Sequence, residues 1–160
     1  MQTDLEYLKG MLGVFIKAGG PLISANDLKK AGYEISSDKG LFHYYQLIER
    51  GYISNHFLEI GDPKKLGLTI GLNEIREWPA NVRLTSSGQE FAETLQQKDV
   101  FEKLKTISDQ PLSVLKDVGV ELLKTKKKKK KRLTDKQPKR GIKCHYEHTP
   151  QTKRTNPNTA

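Results

Sequence analysis

The sequence predicts a mainly α-helical domain with a small antiparallel β component, followed by further helices and a disordered basic tail. Three observations predict it. Segments with helical spacing of apolar residues come before and after a stretch rich in β-formers. A helix ends at a glycine and passes directly into that stretch. Beyond Leu123, charge replaces hydropathy. Residues 124–160 hold 14 Lys and Arg against Asp135 and Glu147, a net of +12, whereas residues 1–123 hold the other 14 basic residues against 17 acids, a net of −3. With 160 residues, 35% hydrophobic and 29% charged, the chain has room for one ordinary domain plus a segment outside any core.

Leu5, Leu8, Leu12, Phe15 and Ile16 lie on one face of an amphipathic helix over 4–17. Gly10 and Gly13 each weaken that helix by about 1 kcal/mol relative to Ala. Gly19-Gly20-Pro21 stops it. Ser24-Ala25-Asn26-Asp27 caps a short helix over 24–31, ended by Gly32. Ser37-Asp38 opens a third helix, with Leu41, Tyr45 and Ile48 on its buried face and Gly51 as its stop.

Residues 52–60, rich in aromatic and β-branched side chains, read as a strand. Gly61-Asp62-Pro63 is a turn signal. Leu66, Leu68, Ile70 and Leu72 alternate with Gly67, Thr69 and Gly71, the clearest strand in the chain. Trp78-Pro79 breaks the next segment, and residues 82–84 form a short third strand. Ser86 with Gln89, and Ser87 with Glu90, offer two capping boxes for a helix carrying Phe91, Ala92 and Leu95. Residues 100–107 and 112–123 read as two more short helices separated near Pro111. The division is therefore 1–98 as the main domain, 99–123 as a C-terminal helical extension and 124–160 as a disordered Lys/Arg-rich tail.

This order of elements is that of a winged helix-turn-helix, and two local signatures sharpen it. Leu47-Ile48-Glu49-Arg50-Gly51-Tyr52-Ile53 takes a helix into the wing, and Arg83-Leu84-Thr85-Ser86-Ser87-Gly88-Gln89-Glu90-Phe91 takes a strand into a capped helix. Asp4-Leu5, Gly32-Tyr33, His43-Tyr44, Leu84-Thr85-x-x-Gly88-x-x-Phe91 and Asp99-Val100-Phe101-Glu102-Lys103-Leu104-Lys105 add a family pattern. In these residues the chain resembles the bacterial and prophage-associated domain-of-unknown-function family numbered twenty-five-thirteen, over roughly residues 4–123. The resemblance implies a winged-helix-like fold and an origin in a bacterium or its mobile elements. It implies no activity and no site residues.

Function is argued from side chains. Lys39, His43, Gln46 and Arg50 recur along one polar stripe of the third helix, a set able to enter a major groove: Gln46 suits adenine, Lys39 and Arg50 suit guanine or phosphate. The bland reading is the wet side of an amphipathic helix. Lys64 and Lys65 at the wing tip suit a phosphate contact, or are a solvated turn beside Asp62. Lys126, Lys127, Lys128, Lys129, Lys130, Lys131 and Arg132 are seven adjacent cations that repel one another and gain by meeting a polyanion. Each phosphate neutralised on duplex DNA steepens the log–log salt slope by about 0.9, so full engagement gives roughly −6. A solubilising tail, RNA or an acidic protein are the alternatives.

Cys144, His145 and His148 form a short cluster without a partner motif, and chance explains it better than a metal. His43 and His56 lack any accompanying phosphate loop or nucleophile motif. Trp78 and Tyr44-Tyr45 read as core anchors rather than base-stacking platforms. No apolar run approaches the roughly 18–20 residues of a membrane span. No signal peptide is expected, and one cysteine excludes an internal disulfide, so the expected setting is cytoplasmic.

The expectation is a non-enzymatic winged-helix nucleic-acid-binding protein, DNA before RNA, without cofactor or metal. Its third helix and wing would read and its tail would grip. The rival is a protein-interaction module, antitoxin-like or part of a phage-defence system. It would dock or dimerise through the apolar faces of residues 99–123, among them Leu104, Ile107, Leu112, Leu115, Val118 and Leu122.

Overall fold

The computed structural model describes residues 1–72 and 74–134, the last three by their backbone. Helix α1 (Leu5–Lys17) begins at Asp4, whose carboxylate accepts the Tyr7 N–H at 3.0 Å. Helix α2 (Ala25–Lys30) follows Ser24, whose backbone N–H and hydroxyl both donate to Asp27 at 2.8 Å. Helix α3 (Asp38–Glu49) is capped by the Ser37 hydroxyl and ends at Gly51, in the left-handed region at φ 63.

Two small antiparallel sheets follow. Strand β1 (Ile53–Asn55) pairs with β4 (Val82–Leu84), Ile53 opposite Leu84. Ile23, just ahead of α2, bridges Val82 through reciprocal hydrogen bonds of 2.9 and 2.8 Å. Between β1 and β4 the chain makes an excursion. It passes through a 3₁₀ turn (Lys64–Leu66) and a hairpin of β2 (Leu68–Ile70) and β3 (Ile75–Glu77). Two bonds tie the excursion to the helices: the Tyr44 hydroxyl donates to the Leu66 carbonyl, and the Ser36 N–H donates to Glu77, each at 2.7 Å.

Three strand expectations are corrected here. The first strand stops at Asn55 instead of reaching residue 60. The Asn55 Oδ1 accepts the N–H groups of Phe57 and Glu59, an Asx turn that takes the backbone off the ladder and leaves Leu58 at φ 66. The alternating run at 66–72 contributes only three strand residues, because Gly67 sits at φ 95 and separates the 3₁₀ turn from β2. Strand β3, in the segment ahead of Trp78-Pro79, is the one the sequence pattern does not show.

Helix α4 (Ser86–Gln96) lies at the centre and packs on α1, α5 (Lys98–Lys105) and α6 (Leu112–Thr134). Phe91, Ala92 and Leu95 are buried there with Leu8 and Leu12 of α1, Phe101 and Leu104 of α5, and Leu115 of α6. The cap of α4 is Thr85 rather than Ser86 or Ser87. Its hydroxyl accepts the Gly88 N–H at 3.1 Å and donates to the Gly51 carbonyl at 2.7 Å. Gly88 is required by a close approach, since a Cβ there would sit 2.0 Å from the Tyr52 carbonyl oxygen. The Thr85-x-x-Gly88-x-x-Phe91 pattern thus joins α4 to the end of α3, and Phe91 completes the joint against the Tyr52 ring at 5.3 Å.

The C-terminal expectation also changes. Helix α6 does not stop at Leu123 but continues to Thr134. Initiation is the costly step in a helix, and here the packed residues Leu112, Leu115 and Val120 have already met it. Lysine then propagates well, and its charge suits the negative end of the helix dipole. Like-charge pairs four apart oppose this by only about 0.2–0.5 kcal/mol each. Residues 135–160, with the rest of the expected tail and the Cys144/His145/His148 cluster, lie outside the described residues.

Candidate nucleic-acid interface

The polar stripe of α3 is not an open reading face. Its buried side runs through Gly40, His43, Tyr44, Leu47 and Ile48, so the helix is turned relative to the expected face of Leu41, Tyr45 and Ile48, of which only Ile48 is buried. His43 is 1% exposed. Its Nε2 accepts the Asp4 N–H at 2.8 Å, and its Nδ1–H donates to the Lys39 carbonyl at 2.7 Å, which fixes a neutral imidazole. Burial pushes the His43 pKa below its ordinary value. His43 therefore belongs to the joint between α1 and α3 and is withdrawn as a base-contacting residue.

Two neighbours follow it. Lys39 Nζ lies 2.6 Å from Asp4 and 4.8 Å from the centre of the Tyr7 ring. The Lys39 bond and the Tyr7 N–H hold the Asp4 carboxyl below the usual carboxylate range. Gln46 Nε2 donates to the Thr3 hydroxyl at 2.9 Å, and its Oε1 is buried with no hydrogen-bond partner among the described residues. Thr3, Asp4 and Tyr7 thus engage three of the four stripe residues: His43 is buried and Gln46 half-buried, while Lys39, though bonded to Asp4, and Arg50 stay exposed.

The presumed wing tip is a 3₁₀ turn. Lys64 and Lys65 are both exposed, but Lys65 Nζ pairs with Glu59 at 2.5 Å and Asp62 accepts the Lys64 N–H at 2.9 Å. Acids therefore offset much of the local charge. What distinguishes this region is apolar exposure that sequence reasoning missed. Phe57 is 72% exposed, Leu58 66% and Trp78 42%, so Trp78 is not the core anchor expected. Phe57 and Trp78 line a cleft of about 470 Å³ with Asn55, Asn81 and Pro79. The Asn55 turn is the signal that could have lifted these side chains out of the core.

The apolar faces of residues 99–123 are spent inside the fold: Leu104, Leu112 and Leu115 are buried, and Ile107, Val118 and Leu122 pack partly against the same core.

Lys126 to Lys131 occupy the exposed part of α6, one cation for each helical residue, distributed around the whole circumference. Lys126 Nζ bonds Asp99 of α5 at 2.5 Å. The side chain of Arg132 lies outside the described residues. Among the described residues no group of His, Cys, Asp and Glu could hold a metal ion, and no helix is long and apolar enough to cross a membrane. No family model, no curated protein and no solved structure matches the chain.

Proposed function

We propose that this chain is a non-enzymatic DNA-binding protein with a winged-helix body, and that the lysine-bearing end of α6 is its main contact with the phosphate backbone. The winged-helix assignment is supported by the antiparallel pair β1–β4, extended on the β4 side by the single-residue bridge of Ile23, with the β2–β3 excursion as the wing.

A single observation carries the functional reading: six consecutive lysines stand on an α-helix that leaves the core without a break. The helix rises about 1.5 Å per residue, so it presents one positive charge in about the length over which duplex DNA presents one negative charge, about 1.7 Å. Six phosphates neutralised give a log–log salt slope of about −5. Binding of this kind is strong at low salt and indifferent to sequence, and the buried His43 and the Thr3-bonded Gln46 add no base reading to it.

The test is anisotropy of a short labelled duplex, titrated with the full chain over a series of salt concentrations. Binding with a slope near −5 is expected. No binding at low salt, or an unchanged slope after glutamine replaces all six lysines, overturns the reading.

A second reading rests on the exposed Phe57, Leu58 and Trp78, which favour a protein partner seated on the wing. Light scattering of the chain with the product of the neighbouring gene separates the two. A stable heteromer without DNA, lost on Phe57→Ser with Trp78→Ser, supports the second.

A further inference from the structure

Where α6 passes α5, Leu122, Thr125, Lys126 and Lys129 line up on one face of α6 and meet Asp99, Val100 and Lys103 on α5. They enclose a crevice of about 170 Å³, room for a tetrahedral anion with some of its water, at about 30 Å³ per water molecule. The floor is apolar, since Val100 is buried and Leu122 half-buried. Lys103, Lys126 and Lys129 line the crevice against one carboxylate, Asp99, a net of +2. The Thr125 hydroxyl proton is used by the Glu121 carbonyl, which leaves the three lysines as the charged donors of the lining.

Asp99 is surrounded by more cation than it can neutralise. Lys126 bonds it directly, and the charges of Lys98 and Lys103 act on it as well, which holds its carboxyl below the usual range. Both partners of the Lys126–Asp99 pair remain well exposed, so the pair is cheap to open.

We propose that the α5–α6 crevice is a phosphate seat in which Lys103, Lys126 and Lys129 take one backbone phosphate of the bound nucleic acid, and that Asp99 occupies Lys126 until the phosphate displaces it. The inference rests on the phosphate-binding role of α6 and adds to it a residue outside the lysine run, Lys103, and an internal competitor, Asp99. The exchange is one of ion pairs, with no covalent step. A phosphate has the advantage of accepting from all three ammonium groups together, whereas the Asp99 carboxylate is tied to its own helix.

The experiment is a double-mutant cycle on the full chain, read by duplex anisotropy at fixed salt, with Glu102→Gln as a control for loss of one negative charge on the same helix. Asp99→Asn is expected to tighten binding about two- to fivefold, more than Glu102→Gln. In a Lys126→Ala background the gain from Asp99→Asn should fall to that of the control. A gain no larger than the control, or one that persists without Lys126, overturns the seat while leaving the polyanion reading intact.

A titration with inorganic phosphate, followed by the NMR signals of the Val100 methyls and the Thr125 amide, supplies the independent arm. Saturable shifts that vanish in Lys103→Ala support the seat even if the duplex does not bind. Absence of saturation overturns it.

Discussion

The polar face of α3 and the lysine run of α6 are both rows of hydrophilic side chains on a helix, and the fold treats them in opposite ways. On α3, Lys39 and His43 are satisfied by Asp4 and the Lys39 carbonyl, and the Gln46 amide donates to Thr3 while its Oε1 has no partner among the described residues. On α6, six lysines stand exposed around the helix. The difference is one of burial. Of the two permanent charges on the α3 stripe, Lys39 has a carboxylate in Asp4, and the nitrogens of His43 and Gln46 find partners next to the start of α1. On α6 all six lysines keep their exposure, Lys126 while bonding Asp99. Burial at the middle of the α3 stripe, and its absence along the α6 run, is what separates the two rows.

The sharpest way to break this contrast is to remove the α6 charges and keep the helix. Glutamine at all six positions, Lys126 to Lys131, should flatten the salt slope from about −5 towards zero and lower duplex affinity at low salt by orders of magnitude, with helix content by circular dichroism retained. Retained affinity would return the binding face to the body.

The converse change strikes α3. His43→Ala removes the acceptor for the Asp4 N–H and the donor for the Lys39 carbonyl, and should cost about 1–3 kcal/mol in chemical denaturation. Duplex affinity of the folded protein should stay the same. A loss of affinity without loss of stability would reinstate His43 as a contact residue.

Acid sharpens the same point. The folded His43 has a lowered pKa, so between about 6.5 and that lower value the unfolded chain binds the extra proton. Stability is fully present above the unfolded value and declines as pH falls through this window. The decline should be visible in denaturant midpoints measured stepwise from neutral pH, and His43→Ala should remove that component. A pH-independent midpoint in the wild-type chain across this range contradicts the buried neutral imidazole.

The smallest effect is expected at Gln46. Replacing it by Met deletes the unbonded buried Oε1 together with one part-buried hydrogen bond to Thr3, so the two effects oppose and stability should change by less than about 1 kcal/mol. A loss beyond about 2 kcal/mol would show that the carbonyl has a partner, such as ordered water.

Helix positions were legible because each carries its own local punctuation: Asp4, Ser24 and Ser37 ahead of the first three, Gly51 behind the third. The phase of α3 was not. Positions 40, 43, 44, 47 and 48 have perfect helical spacing, but two of them are glycine and histidine, which hydropathy counts as polar or neutral. Gly40 is small because a Cβ would lie 1.9 Å from the Glu34 carbonyl oxygen, and His43 is buried because a backbone N–H 39 residues away needs an acceptor. Both reasons are long-range or steric and leave no periodic trace.

The strands suffered similarly. Alternation at 66–72 is genuine, yet only its first members, Leu66 and Leu68, face the core, while Ile70 and Leu72 ride the hairpin into solvent. The lysine run showed its chemistry in the sequence but not its conformation, since the helix there is inherited from the packed turns before it.

That inheritance has a mechanical consequence. A cationic segment joined by a slack tether would let cargo and body tumble independently, and the body would then sample every orientation beside the duplex. Here the lever is one uninterrupted rod, clamped at its root by Leu112 and Leu115. Under the proposed function, a duplex taken by the rod would be held at a set angle and distance from the Phe57–Trp78 cleft, so that the two surfaces could act in register on a single target.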